Sequence, residues 1–125
     1  MEWSGKLRNQ TIANLESQKT AAIAEATQRT ASANEVATIA KSYDDQILSN
    51  YIADINAQRA ASIKEASDRG VDAKTIRDIN EFYENEITSY KTTQTDNRKK
   101  LESDYTDHIR TESEKWKEHT KGSLS

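Results

Sequence analysis

Apolar residues recur every three or four positions along most of the chain, and polar residues fill the gaps between them. This spacing places them on one face of an α-helix. The average step is about 3.67 residues rather than 3.5, which favours nearly straight helices over a leucine-zipper supercoil. Two long series show the pattern: Val36, Ile39, Tyr43, Ile47, Tyr51 and Ile55, then Ile76, Ile79, Tyr83, Ile87, Tyr90, Leu101, Tyr105, Ile109 and Trp116.

The chain is also similar to itself at an offset of 40 residues. Residues 11–49 align with residues 51–89, and self-similarity at a fixed period indicates a repeated structural unit. We interpret each unit as one long helix followed by one turn. The identical pairs include Ile12/Ile52, Ala13/Ala53, Gln18/Gln58, Ile23/Ile63, Glu25/Glu65, Ala26/Ala66, Arg29/Arg69, Ala33/Ala73, Ile39/Ile79, Tyr43/Tyr83, Ile47/Ile87 and Ser49/Ser89.

Capping residues locate the turns of this repeat. Gly70 suits the left-handed position after a helix, and Asp72 suits the N-cap of the next one. At the equivalent first site, Ser32 and Glu35 have the spacing of a capping box. Turns this short make neighbouring helices antiparallel.

The predicted architecture is one all-α domain over residues 1–125. We expect long antiparallel helices, as a three-helix up-down bundle or an extended helical hairpin. The expected helices span 6–29, 33–69 and 73–109, followed by a short helix or flexible tail at 110–125. Residues 88–97 contain four Thr and no strong apolar anchor, so we expect helix 3 to be mobile or bent there.

Composition excludes several classes of function. The chain has no Cys, so it has no disulfides and no thiolate metal sites. Eighteen basic and 21 acidic residues give a net charge of −3, which makes nucleic acid an unlikely partner. No stretch reaches the ~20 apolar residues of a membrane span, and the first residues lack the apolar region of a secretory signal. We therefore expect the protein in the cytoplasm or within a virion.

Residues suited to catalysis or metal binding are few. Asp104, His108 and Glu112 share one helix face and could hold a metal, although a solvated charge ladder has the same spacing. The cluster Arg98–Lys100 could contact phosphate, although neighbouring acids largely cancel it. We therefore predict no enzyme activity, no metal and no cofactor.

The aromatic residues are the candidates for protein contacts. Tyr and Trp are enriched where one protein docks on another, although Tyr also packs at the edge of a thin core. Trp lies near both ends of the chain. The interface candidates are Trp3, Tyr43, Tyr51, Tyr83, Tyr90, Tyr105 and Trp116.

A thin core indicates that the protein associates. The chain has 5 Leu, 11 Ile, 2 Val and 1 Phe, and their burial must offset the ordering of three long helices. Contact with copies of itself or with other subunits of a large assembly would add apolar burial. The alternative is a monomeric helical adaptor or chaperone that grips a partner helix through an exposed Tyr/Ile stripe.

Residues 60–81 resemble the helix–Gly–helix stretch in internal virion proteins of short-tailed bacteriophages. The shared features are an Ala-rich helix, Gly70, the cap Asp72 and the following residues Ile76, Arg77 and Ile79, together with Ile63 and Glu65. The resemblance implies a virion structural component, such as part of an internal core, neck or scaffold.

Overall fold

Three long helices make up the part of the chain that the structure describes. The computed structural model describes the backbone of residues 2–124 and the side chains of residues 10–116. The helices are α1 (Glu2–Gln28), α2 (Ala33–Asp68) and α3 (Ala73–Leu124). At about 1.5 Å per residue they are about 40, 54 and 78 Å long. The predicted all-α class is confirmed.

The two turns between the helices have one geometry, 40 positions apart. Thr30 has a φ of 55° and Gly70 a φ of 74°, both in the left-handed region that ends many helices. The 40-residue unit as a whole stays a prediction. An equivalent backbone hydrogen bond, which spans five positions of the sequence, closes each turn. It joins the Ala31 N–H to the Ala26 carbonyl (2.9 Å) and the Val71 N–H to the Ala66 carbonyl (3.2 Å).

A side chain caps the helix that follows each turn. The Ser32 hydroxyl accepts from the backbone N–H of Glu35 at 3.1 Å, and the Glu35 carboxylate pairs with Arg29 at 3.4 Å. Asp72 Oδ1 accepts from the Thr75 hydroxyl at 2.7 Å and from the Thr75 backbone N–H at 2.9 Å. These bonds, the hydroxyl first, hold the pKa of Asp72 below its ordinary value of 3.8.

Helix α2 is the centre of the molecule and packs against both other helices. Among the described residues no Cα of α1 lies within 8 Å of a Cα of α3, so only side chains join these two helices. The best-packed cluster lies under the first turn, where Ala26, Ala31, Val36 and Tyr105 are buried. Ile23, Ile39, Leu101 and Ile109 pack around that cluster.

Helix α3 is longer than the sequence predicts. It continues past 109 to Leu124, so the predicted end at 109 and the separate segment at 110–125 are wrong as far as residue 124. Position 110, which corresponds to Thr30 and Gly70, holds Arg, a good helix former that pairs with Asp107 at 3.0 Å. At the other end of the chain, α1 begins at Glu2 rather than at 6.

Residues 88–97 form an unbroken part of α3. Tertiary contacts compensate for their weak helix propensity. Tyr90 stacks on Tyr51, and Gln94 Nε2 donates to the Asp44 carbonyl at 2.9 Å. The packing therefore overrides the local preference of the four Thr.

Candidate protein-interaction site

A buried carboxylate on α2 connects all three helices. Asp44 is 2% exposed. Its Oδ1 lies 2.7 Å from Nζ of Lys19 on α1, and its Oδ2 lies 3.3 Å from a guanidinium nitrogen of Arg98 on α3. Because a buried charge is costly unless it is paired, these contacts specify how the helices align along their length.

A second ion pair lies 40 residues further along the chain. Arg59 and Glu84 occupy the positions that correspond to Lys19 and Asp44, and their side chains form a salt bridge between α2 and α3. Glu84 is 62% exposed, whereas the Asp44 side chain is 3% exposed. The second pair is therefore a solvent-exposed salt bridge that contributes little to the stability of the fold.

Two of the predicted interface tyrosines stack on each other inside the molecule. The rings of Tyr51 and Tyr90 lie 3.8 Å apart between centroids, with an interplanar angle of 11°. Burial raises the pKa of both phenols above 10, with a smaller contribution from Glu86 on Tyr51 and from Glu16 on Tyr90. The two rings therefore pack α2 against α3 within one molecule.

The other tyrosines differ in how accessible they are. Tyr105 is 7% exposed and donates its hydroxyl hydrogen to the Ala31 carbonyl at 2.5 Å. Its position in the core corrects the expectation that it belongs to an exposed stripe. Tyr43 and Tyr83 are half-buried, and the Tyr83 hydroxyl lies 2.9 Å from the Ser62 hydroxyl.

The two tryptophans lie on the terminal parts of the helices. Trp116 is 69% exposed on the C-terminal part of α3. Trp3 belongs to α1, and its side chain lies outside the described residues. Of the two, the described structure thus shows only Trp116 as an accessible interface candidate.

Apolar side chains are more exposed at the second turn than at the first. We call residues 61–83 the hairpin end; it comprises the last part of α2, the turn and the first part of α3. Phe82 is 58% exposed there and contacts the edge of Tyr83 at 5.1 Å between centroids. A groove beside them is lined by Ser62, Thr75, Asp78, Ile79, Phe82 and Tyr83.

A second groove runs between α1 and α3, near the first turn. Val36 lies at its floor, while Ile23 and Leu101 contribute its apolar walls. Lys100, Asp104 and His108 give it a polar edge. The groove exists because the backbones of α1 and α3 each lie close to α2 and not to each other.

Asp104, His108 and Glu112, which the sequence offers as a possible metal set beside the charge-ladder interpretation, are not grouped as metal ligands in the described structure. Within residues that the structure describes, no group of three or more His, Asp or Glu side chains could hold a metal ion. Asp104 instead has Lys100 as a neighbour at 4.0 Å, in keeping with a solvated charge ladder. No described helix has the length and apolar character that crossing a membrane requires.

The sequence pattern missed two residues that matter for packing and contact. Asp44 lies four residues after Ala40 and three before Ile47, both buried, so helical spacing already puts it on the buried face. The second is Phe82, which lies off the main apolar stripe of α3, so the helical spacing of apolar residues does not point to it. Its neighbours Ile79 and Tyr83 could have drawn attention to it.

No family model, no curated protein and no solved structure matches the chain. The fold and the surfaces define an all-α protein of long antiparallel helices, with apolar surface left at its hairpin end. Its function must be inferred from its own residues and their packing.

Proposed function

We propose that the protein is a non-enzymatic structural component that associates with copies of itself within a larger particle, such as a phage virion. The observation that carries the proposal is the area of its surface. The chain exposes 8863 Å², whereas a compact monomer of 14.1 kDa exposes about 6,700 Å². The chain therefore exposes roughly 2,000 Å² more than a compact monomer of its mass, as an elongated bundle does, and this large surface favours contacts with other subunits.

The placement of the core supports the same proposal. The buried cluster at the first turn consists of two Ala, one Val and one Tyr, and the other large buried apolar residues, Ile47, Ile55 and Ile87, are spread along α2 and α3. Helices held by so few large apolar groups gain from apolar burial in an assembly. The resemblance of residues 60–81 to internal virion proteins favours an internal core, a neck or a scaffold as the setting.

The test is the solution mass as a function of concentration. Light scattering after size exclusion, with circular dichroism on the same samples, should give a discrete multiple of 14.1 kDa and a high helix content. Dilution should lower both the mass and the melting temperature, because association stabilises the folded chain. A monomer whose melting temperature is the same at every concentration would contradict the proposal.

The groove between α1 and α3 favours a second candidate, a monomeric adaptor that binds one partner helix. Its apolar floor and polar edge suit an amphipathic helix, as in other helix-in-groove complexes. The adaptor predicts a monomer in the same experiment. It further predicts that Lys100→Glu, a change of an exposed side chain at the edge of the groove, weakens binding to the partner and leaves self-association unchanged.

A further inference from the structure

The two turns have the same geometry but differ in what covers them. At the first turn, Ala31 is 6% and Val36 is 1% exposed. The corresponding residues of the second turn, Val71 and Ile76, are only partly buried. The sequence supplies larger side chains at the second turn, so size does not explain the difference.

Helix α3 covers the apolar residues of the first turn. Leu101, Tyr105 and Ile109 lie at i, i+4 and i+8 and pack against the first cluster, with the Tyr105 hydroxyl on the Ala31 carbonyl. Among the described residues no element covers the second turn in this way. A stack of helical units whose last unit lacks a cap leaves its apolar face open to association.

We propose that the hairpin end of a second copy covers this surface, so that the two hairpin ends form a four-helix bundle related by a two-fold axis. The occupant needs an apolar residue and a Tyr four positions apart, as in Leu101 and Tyr105. Ile79 and Tyr83 have that spacing, and both are partly exposed at the hairpin end itself. A two-fold interface is self-complementary, so one surface supplies both the groove and the helix that fills it.

Charge and area are compatible with this pairing. The hairpin end has four basic and five acidic residues, so two copies meet with little net repulsion. Two of its i,i+4 pairs, Lys64–Asp68 and Lys74–Asp78, are already formed at 2.9 and 3.0 Å, and Asp78 also lines the groove. A standard dimer interface buries about 800 Å² of each partner, and the apolar side chains that the hairpin end offers for it are the exposed Phe82 and the partly buried Val71, Ile76, Ile79 and Tyr83.

The inference rests on the proposed self-association, and the experiment distinguishes the two. Sedimentation equilibrium is run on the full chain and on three variants: Ile76→Glu, Phe82→Glu and Trp116→Glu. Phe82→Glu changes a side chain that is 58% exposed, so it keeps the fold even if Ile76→Glu weakens it. Trp116→Glu is the matched control, an exposed aromatic about 50 Å further along α3 than Phe82.

The expected result is a dimer whose dissociation constant rises roughly 30-fold or more in Phe82→Glu and Ile76→Glu, with circular dichroism unchanged for Phe82→Glu. Trp116→Glu should dimerise like the unmodified chain. An oligomer that withstands Phe82→Glu but dissociates in Trp116→Glu would overturn the hairpin-end interface and leave self-association in place. A monomeric unmodified chain would overturn both.

Discussion

At the scale of single residues, Asp44 shows how one charge can set the alignment of three helices. Its two oxygens pair with cations from α1 and α3, while its backbone carbonyl accepts from Gln94. Apolar contacts among Ala-rich helices allow many axial shifts at similar energy. A buried carboxylate allows few, because most shifts leave it without a partner.

Replacing Asp44 with Ala should destabilise the protein by about 3 kcal/mol, because Lys19 and Arg98 lose the anion between them. Urea unfolding followed by circular dichroism measures the change. Asp45→Ala is the matched control, since Asp45 is the next residue and its side chain is 59% exposed. That control should change stability by less than about 0.5 kcal/mol. Equal effects of the two substitutions would show that the buried pairing does not matter.

Thr30 is a β-branched residue in the left-handed region, with a φ of 55°. Thr30→Gly should stabilise the protein by about 0.5–1 kcal/mol, because the relief of backbone strain exceeds the entropy cost of Gly. The reverse change at the matching turn, Gly70→Thr, should destabilise by about 1 kcal/mol. A Cβ at position 70 meets no atom within 4 Å, so the effect comes from the backbone alone.

Thermal unfolding of both turn variants, with Ser67→Gly as an exposed helical control, measures the two changes. The control should lose about 1 kcal/mol, because Gly is unfavourable within a helix. If Thr30→Gly loses stability as the control does, the left-handed conformation at position 30 is absent.

At the scale of helices, the sequence predicts the features that depend on residues close by in the chain, such as helix caps and turns. The cap at Ser32 and the positive φ of Gly70 can be predicted from the sequence, because each depends only on residues three or four positions away. The end of α3 was not predictable in this way. Thr111 and Glu114 have capping-box spacing, but Arg110 allows the helix to continue, so the cap is not used.

Contacts between helices explain the remaining differences. The continuity of 88–97 depends on Tyr51 and Asp44, which lie more than 35 positions away in the sequence. Helical spacing put Tyr105 on an apolar face but could not tell whether α1 and α2 or another molecule would cover it. Local patterns thus predict helices and caps, whereas burial depends on which helices meet.

At the scale of the whole molecule, the two ends of the chain's longest helix differ in their partners. The first part of α3 packs on α2 at the hairpin end, whereas the side chains of residues 110–116 are all exposed. A helix without an apolar face against the rest of the protein adds little stability in water. The exposed side chains of residues 110–116 therefore add little apolar burial to the folded core.

A chain that ends at Arg110 should unfold with the same free energy as the full chain, within about 1 kcal/mol, because the side chains of residues 111–116, the described part of the removed segment, are all exposed. Urea unfolding measures this, and sedimentation measures association in parallel. The truncated chain should still dimerise, since the hairpin end is intact. A second truncation, ending at Ser103, removes Tyr105 and Ile109 and exposes the buried cluster at Val36, so it should unfold the first turn. If the chain ending at Arg110 lost its stability as well, residues beyond 110 would have to pack against the bundle or against another copy.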